Sequence, residues 1–227
     1  MERLLTYSGH VSARVPDRDA FLIHPLIESR AAVSAQDILV CDFGCEPLPG
    51  SPPHRPPLES FIHAEIYRAR PDVQAVAHTH SELAAAFTLA EAILRPVKSH
   101  AVRWASGIPI HSDPSHIETP TQGRELVAAL GVHNAALLRA HGGVLVAESV
   151  EALLVDAVHF EENARAQMQA HTLGRLRPLT DDELALLQNR SNREQHVDKL
   201  WRYYVERGLD AGVLDSDEGL IRPGTPR

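Results

Sequence analysis

The chain has 227 residues, 44% of them hydrophobic, and a formal net charge of −8. That length supports one domain with a sizeable core, and the composition excludes a disordered chain. The acidic balance argues against a nucleic-acid or anionic-membrane surface, either of which needs a basic patch, and no apolar run approaches the ~20 residues of a membrane span.

The opening Met1-Glu2-Arg3-Leu4-Leu5 lacks the apolar core of a signal peptide. Cys41 and Cys45 are the only cysteines, too few for a disulfide scaffold, so a cytoplasmic address is expected. Short strands are expected at residues 10–15, 20–23 and 38–43, separated by turn chemistry at residues 16–19 and 44–50. A proline-rich loop at residues 52–57 runs extended into a helix over residues 58–70, which Pro71-Asp72 stops. The apolar run at residues 73–77 reads as a buried strand that delivers His78 and His80, followed by a helix over residues 81–92.

Residues 95–117 read as irregular, with short strands at best. Thr119-Pro120-Thr121-Gln122 starts a helix with a Thr cap, Pro at the first helical position and Gln three after the cap, and Gly131 ends it. Strands at residues 135–139 and 144–147 flank Ala140-His141-Gly142-Gly143, and a long helix covers residues 150–172. Residues 181–207 read as strongly helical. The expected organisation is a single domain over residues 1–208 and a loose tail over 209–227.

Side chains two apart on a strand share a face, so His78 and His80 aim their imidazoles at one point. Neutral imidazole is the commonest protein ligand for a divalent cation of borderline softness. A lone His-x-His is weak evidence. Glu59, 19 residues upstream, reads in isolation as a first-turn glutamate complementing a helix dipole. His141, before a glycine pair, reads in isolation as a turn histidine. Together the four residues form a three-histidine site with a carboxylate beside it.

The stretch from Glu59 to Val73 and the sequence Ala75-Val76-Ala77-His78-Thr79-His80-Ser81 resemble the class II aldolase/adducin family, as does Leu137-Leu138-Arg139-Ala140-His141-Gly142-Gly143. The resemblance implies a three-layer α/β/α sandwich around a mixed, mostly antiparallel sheet. It implies His78, His80 and His141 as metal ligands, with Glu59 as acid/base or displaceable fourth ligand. It also implies homotetramers, or larger homo-oligomers, with active sites at subunit interfaces. Three histidines and a carboxylate suit zinc first, with manganese or ferrous iron as alternatives, one ion per subunit.

The three segments that bind the substrate phosphate in the sugar-phosphate aldolases are altered here. They read Gly9-His10-Val11-Ser12, His24-Pro25-Leu26-Ile27-Glu28-Ser29-Arg30 and Pro56-Pro57-Leu58-Glu59. Arg30, Arg103 and Arg139 lie in or beside the segments expected to border the site, and arginine grips a planar carboxylate through two bonds. The chain therefore resembles a branch that decarboxylates hydroxylated aromatic or heteroaromatic acids. On that reading Glu59 or His100 handles the proton, Arg30, Arg103 or Arg139 holds a substrate carboxylate, and His10 contacts substrate. The alternatives are an aldolase for a hydroxy-keto acid or sugar-derived substrate, and a non-catalytic adducin-like interaction module.

Overall fold

The computed structural model describes residues 4–5, 7–26, 31–90, 92–190 and 192–214. Arg30, one of the expected carboxylate-binding residues, lies outside them.

Seven strands form one sheet in the order β3-β2-β1-β4-β7-β6-β5. They are β1 (His10–Arg14), β2 (Ala20–Ile23), β3 (Leu39–Asp42), β4 (Ala75–Thr79), β5 (Ile110–His111), β6 (Ala135–Leu138) and β7 (Gly142–Ala147). Every pairing is antiparallel except β5 with β6. The mixed, mostly antiparallel sheet expected from the sequence is present.

The central strands read as continuous apolar runs because both of their faces are covered. Alternate residues go to opposite layers. Val76, Ala136, Leu138, Val144 and Val146 pack with Ile62, Ile66, Leu126 and Leu130 from helices α1 (Phe61–Ala69) and α3 (Pro120–Leu130). Ala75, Ala77, Leu137, Leu145 and Ala147 face the other way. They meet Ala84 and Phe87 of α2 (Glu82–Leu89) and Ala152, Leu153 and Phe160 of α4 (Val150–Leu173). The result is a three-layer α/β/α sandwich. Gly123 of α3 belongs to this packing: a Cβ there would sit 2.7 Å from the Phe61 carbonyl oxygen, so only glycine lets α3 lie this close to α1.

The C-terminal segment is helical, as expected, and is divided in two. It forms α5 (Asp181–Arg190) and α6 (Arg193–Asp210), because the Asn192 side chain accepts a hydrogen bond from the Gln195 amide and starts a new helix. Helix α6 packs on α4 from outside the sandwich. Residues 95–117 hold a 3₁₀ turn, Ser99–Trp104, and the short β5. Trp104 is buried edge-on against Phe160 of α4, which fixes that turn to the α2/α4 layer.

Candidate metal centre

Strand β4 sets the site. His78 lies on the same face as Val76, in the α1/α3 layer, and is fully buried. His80 follows two residues on, just beyond the end of the strand. Their Nε2 atoms are 2.9 Å apart.

His141 reaches the same point through glycine. Ala140 adopts a left-handed φ of 57° and turns the chain back. A Cβ on Gly142 would lie 2.0 Å from the Thr79 carbonyl oxygen, so β7 begins against the end of β4 only because that position has no side chain. The His141 Nε2 consequently stands 3.1 Å from that of His80.

Glu59 approaches from the turn preceding α1. Its Oε2 is 3.5 Å from the His78 Nε2 and 3.6 Å from the His141 Nε2, while its Oε1 accepts a 3.0 Å hydrogen bond from the Ile117 amide. Burial raises the pKa of this carboxyl. The His78 imidazole, the Ile117 amide and His141 together outweigh burial and hold it down at about 2. Burial, then the neighbouring His78, lowers His80 and brings His141 to about 4.

The donor set fits a divalent cation. His78 directs its Nδ1 at the Gly143 carbonyl, 3.2 Å away, and His80 directs its Nδ1 at the Ser8 hydroxyl, 2.8 Å away. Nδ1–H donation outward leaves the Nε2 lone pairs of both rings pointing inward at each other, and a cation relieves that opposition. The nitrogen–nitrogen and nitrogen–oxygen separations bracket the edge of a tetrahedron with bonds of ~2.1 Å, about 3.4 Å. The four ligand atoms lie within 4.8 Å of one another.

Two neighbours were not legible from spacing. His116, 66% exposed, places its Nδ1 3.4 Å from the Glu59 Oε2 and its ring 5.0 Å from that of His141. Ser8 orients His80. His116 lies in the segment read as irregular, and nothing in its local pattern points to the site. Ser8 lies beside the Gly9-His10 motif, which is the available signal.

The remaining expected residues are placed differently. His10 is adjacent: it sits opposite His78 in the β1–β4 register, with ring centroids 4.9 Å apart. Arg139, at the end of β6 two residues before His141, is exposed. His100 instead stacks on His159 and His196, with centroids 4.2 and 4.8 Å away. The nitrogens of that trio also lie within 4.8 Å, but the rings of His100 and His159 are only 13° from parallel. These two rings stack face to face, and the His159 Nε2 lies 2.9 Å from the His196 Nε2. Arg103 is engaged by carboxylates of its own chain: Nε bonds the buried Asp156 at 3.0 Å and Nη2 meets Glu148 at 3.1 Å. Arg193 of α6 grips the same two acids. Within the subunit, Arg103 ties the 3₁₀ turn and α4 to α6 and does not face the four-residue centre's donor set.

Comparison with known proteins agrees with this geometry. A family described as the class II aldolase and adducin N-terminal domain matches residues 4–168. A 3,4-dihydroxyphthalate decarboxylase of Rhodococcus jostii (strain RHA1) is 32% identical over 177 residues, covering 73% of this chain and 72% of the relative. Decarboxylase NovR of Streptomyces niveus is 31% identical over 223 residues, covering 96% and 81%. An aldolase II superfamily protein from Pseudomonas syringae superimposes with a TM-score of 0.78 at 23% identity, covering 92% of this chain and 87% of that one, and shows the shared fold.

Proposed function

Because the chain belongs to the class II aldolase and adducin family, we propose that it is a divalent-metal-dependent carbon–carbon lyase that decarboxylates a hydroxylated aromatic carboxylic acid. The observation that carries this reading is the convergence of His78, His80, His141 and Glu59, all four retained and mutually oriented. The relatives named as decarboxylases support that direction over aldol cleavage. A structural or adducin-like role gives no reason to keep three inward-pointing imidazoles and an ionised carboxylate together.

His78, His80 and His141 hold the ion, one per subunit, with Glu59 as fourth or displaceable ligand. Nitrogen-rich donors favour zinc, and manganese or ferrous iron fit the same set. When bound, the ion supplies Lewis-acid stabilisation for negative charge that develops on the substrate hydroxyl oxygen. Glu59, ionised far below neutral pH, accepts the proton of that hydroxyl. Glu59 delivers that proton to the ring carbon that bears the departing carboxylate, which gives the keto tautomer with the carboxylate β to a carbonyl. Carbon dioxide then leaves with cleavage of the carbon–carbon bond, the bonding pair returns to the ring oxygen as the aromatic ring re-forms, and a solvent proton restores the hydroxyl. We assign Arg139, exposed two residues from His141, to a second carboxylate of the substrate.

The centre lies at an open surface of the subunit, since His116 beside Glu59 is two-thirds exposed. That supports a homo-oligomer, a tetramer in the simplest case, whose neighbouring subunit closes the substrate site. Metal analysis followed by a screen of hydroxylated aromatic dicarboxylates, 3,4-dihydroxyphthalate among them, tests the function. Carbon dioxide release that depends on bound metal supports it. An aldehyde product from hydroxy-keto acids without carbon dioxide would replace it with the aldolase reading.

A further inference from the structure

Four buried side chains outside the ligand set form an unbroken hydrogen-bonded line that ends beside the metal centre. The His10 Nδ1 lies 2.6 Å from the His63 Nε2, the His63 Nδ1 lies 2.6 Å from the Ser12 hydroxyl, and that hydroxyl lies 2.7 Å from the Tyr67 hydroxyl. All four residues are at most 5% exposed. The line exists because two repeats match. His10 and Ser12 are two apart on β1, a rise of ~6.6 Å, and His63 and Tyr67 are one turn apart on α1, a rise of ~6 Å. Strand and helix therefore offer their polar groups in step across an otherwise apolar contact.

The line has a direction. Tyr67 is buried, and burial raises its pKa, so the phenol keeps its proton. The Ser12 oxygen is the acceptor available to that proton. The Arg14 guanidinium and the backbone amide of Val76 also act on the phenol, and neither can accept its proton. If Tyr67 donates to Ser12, then Ser12 donates to the His63 Nδ1, and the His63 Nε2–H donates to the His10 Nδ1. Running the line backwards leaves the buried Tyr67 proton with no acceptor among the described residues, which costs ~1–3 kcal/mol. Among the described residues no carboxylate bonds to any of the four, and burial, then the neighbouring imidazoles, outweighs the distant Glu59 charge on His63 and disfavours a cation on either ring. The forward order leaves the His10 proton on Nε2, and His10 stands against His78.

We propose that Tyr67, Ser12 and His63 are positioning residues that fix His10 as an Nε2–H hydrogen-bond donor toward the metal centre, where it receives a carboxylate or hydroxyl oxygen of the substrate. The substrate part of this inference rests on the function proposed above. The tautomer part does not.

The test is a two-bond nitrogen–proton correlation spectrum of the zinc-loaded protein, labelled with ¹⁵N-histidine and recorded without substrate, with His10 and His63 assigned from His10→Asn and His63→Asn. The expected result is a bare Nδ1 and a protonated Nε2 on both rings. In Ser12→Ala the His10 signal moves toward a mixture of tautomers, and kcat falls tenfold or more with a smaller change in KM. Ser12→Thr, which keeps the hydroxyl, restores both. A His10 proton on Nδ1, or a Ser12→Ala spectrum identical to wild type, overturns the relay. Should Ser12→Ala fail to fold, the wild-type spectrum decides alone. Because no turnover is needed, a wrong substrate class leaves the tautomer assignment standing, and a wrong tautomer removes the relay even from an active decarboxylase.

Discussion

Glu59 is the residue on which structure and chemistry meet most closely. It is held ionised at about 2 by groups that outweigh its burial, and its Oε2 stands 3.5–3.6 Å from two of the ligand nitrogens. Glu59→Gln keeps the volume and all three histidines but removes the base. Steady-state rates are expected to fall by about 10²–10⁴-fold, while metal content by atomic emission stays at one ion per chain. Loss of metal alongside activity would make Glu59 chiefly a ligand. His159 carries a prediction of a different kind. Burial, then the His100 imidazole, lowers it from the ordinary 6.5 to about 4. Between those values the unfolded chain binds the proton and the folded chain does not, so stability is lost as pH falls through that window. Thermal midpoints are expected to drop from pH 6.5 toward pH 4, with a shallower slope in His159→Gln. At this scale the sequence was informative about ligands and less so about their supports. The convergence of His78, His80, His141 and Glu59 was legible because residue types able to bind a metal recur at telling intervals. Arg103 and His100 were not, because the partners that engage them, Asp156, Glu148, His159 and His196, are distant in the chain.

Among the elements, the junction of β4 with β7 brings the four residues of the site together. The Gly142 position, 2.0 Å from the Thr79 oxygen once a Cβ is added, joins the two halves of the ligand set. Gly142→Ala is expected to cost more than ~3 kcal/mol and to lower metal affinity, since β7 must retreat from β4 and take His141 with it. Calorimetric unfolding and metal titration of the same sample read both effects; an unchanged affinity would show that His141 is placed by something else. The α4–α6 contact is a separate device. Arg103 and Arg193 share the buried Asp156, and removing either leaves that carboxylate under-compensated by ~1–3 kcal/mol. Arg103→Ala is therefore expected to lower the thermal midpoint and leave KM within about twofold. A large rise in KM at unchanged stability would return Arg103 to the substrate. Strand periods and the Thr119 cap made most elements legible beforehand. The helical character of residues 181–207 was legible too, but the division at Asn192 rests on a single capping side chain within an otherwise helical pattern.

For the whole molecule, the sandwich explains why four residues spread over 83 positions of sequence act together. Central strands covered on both faces form a rigid platform, and the ligands lie where β4 ends and β7 begins. A bound ion stabilises the folded state in proportion to how far its concentration exceeds its Kd, about 4 kcal/mol at a thousandfold excess. On the proposed function, this platform holds a metal in order to remove a carboxylate. The direct measurement is release of labelled carbon dioxide from carboxyl-labelled hydroxylated aromatic acids by metal-loaded protein, metal-stripped protein and His141→Ala. The loaded protein is expected to release one carbon dioxide per acid consumed, with loss of release on stripping, recovery on metal return, and none from His141→Ala. Undiminished release from stripped protein, or turnover that yields an aldehyde and no carbon dioxide, would contradict the proposed function.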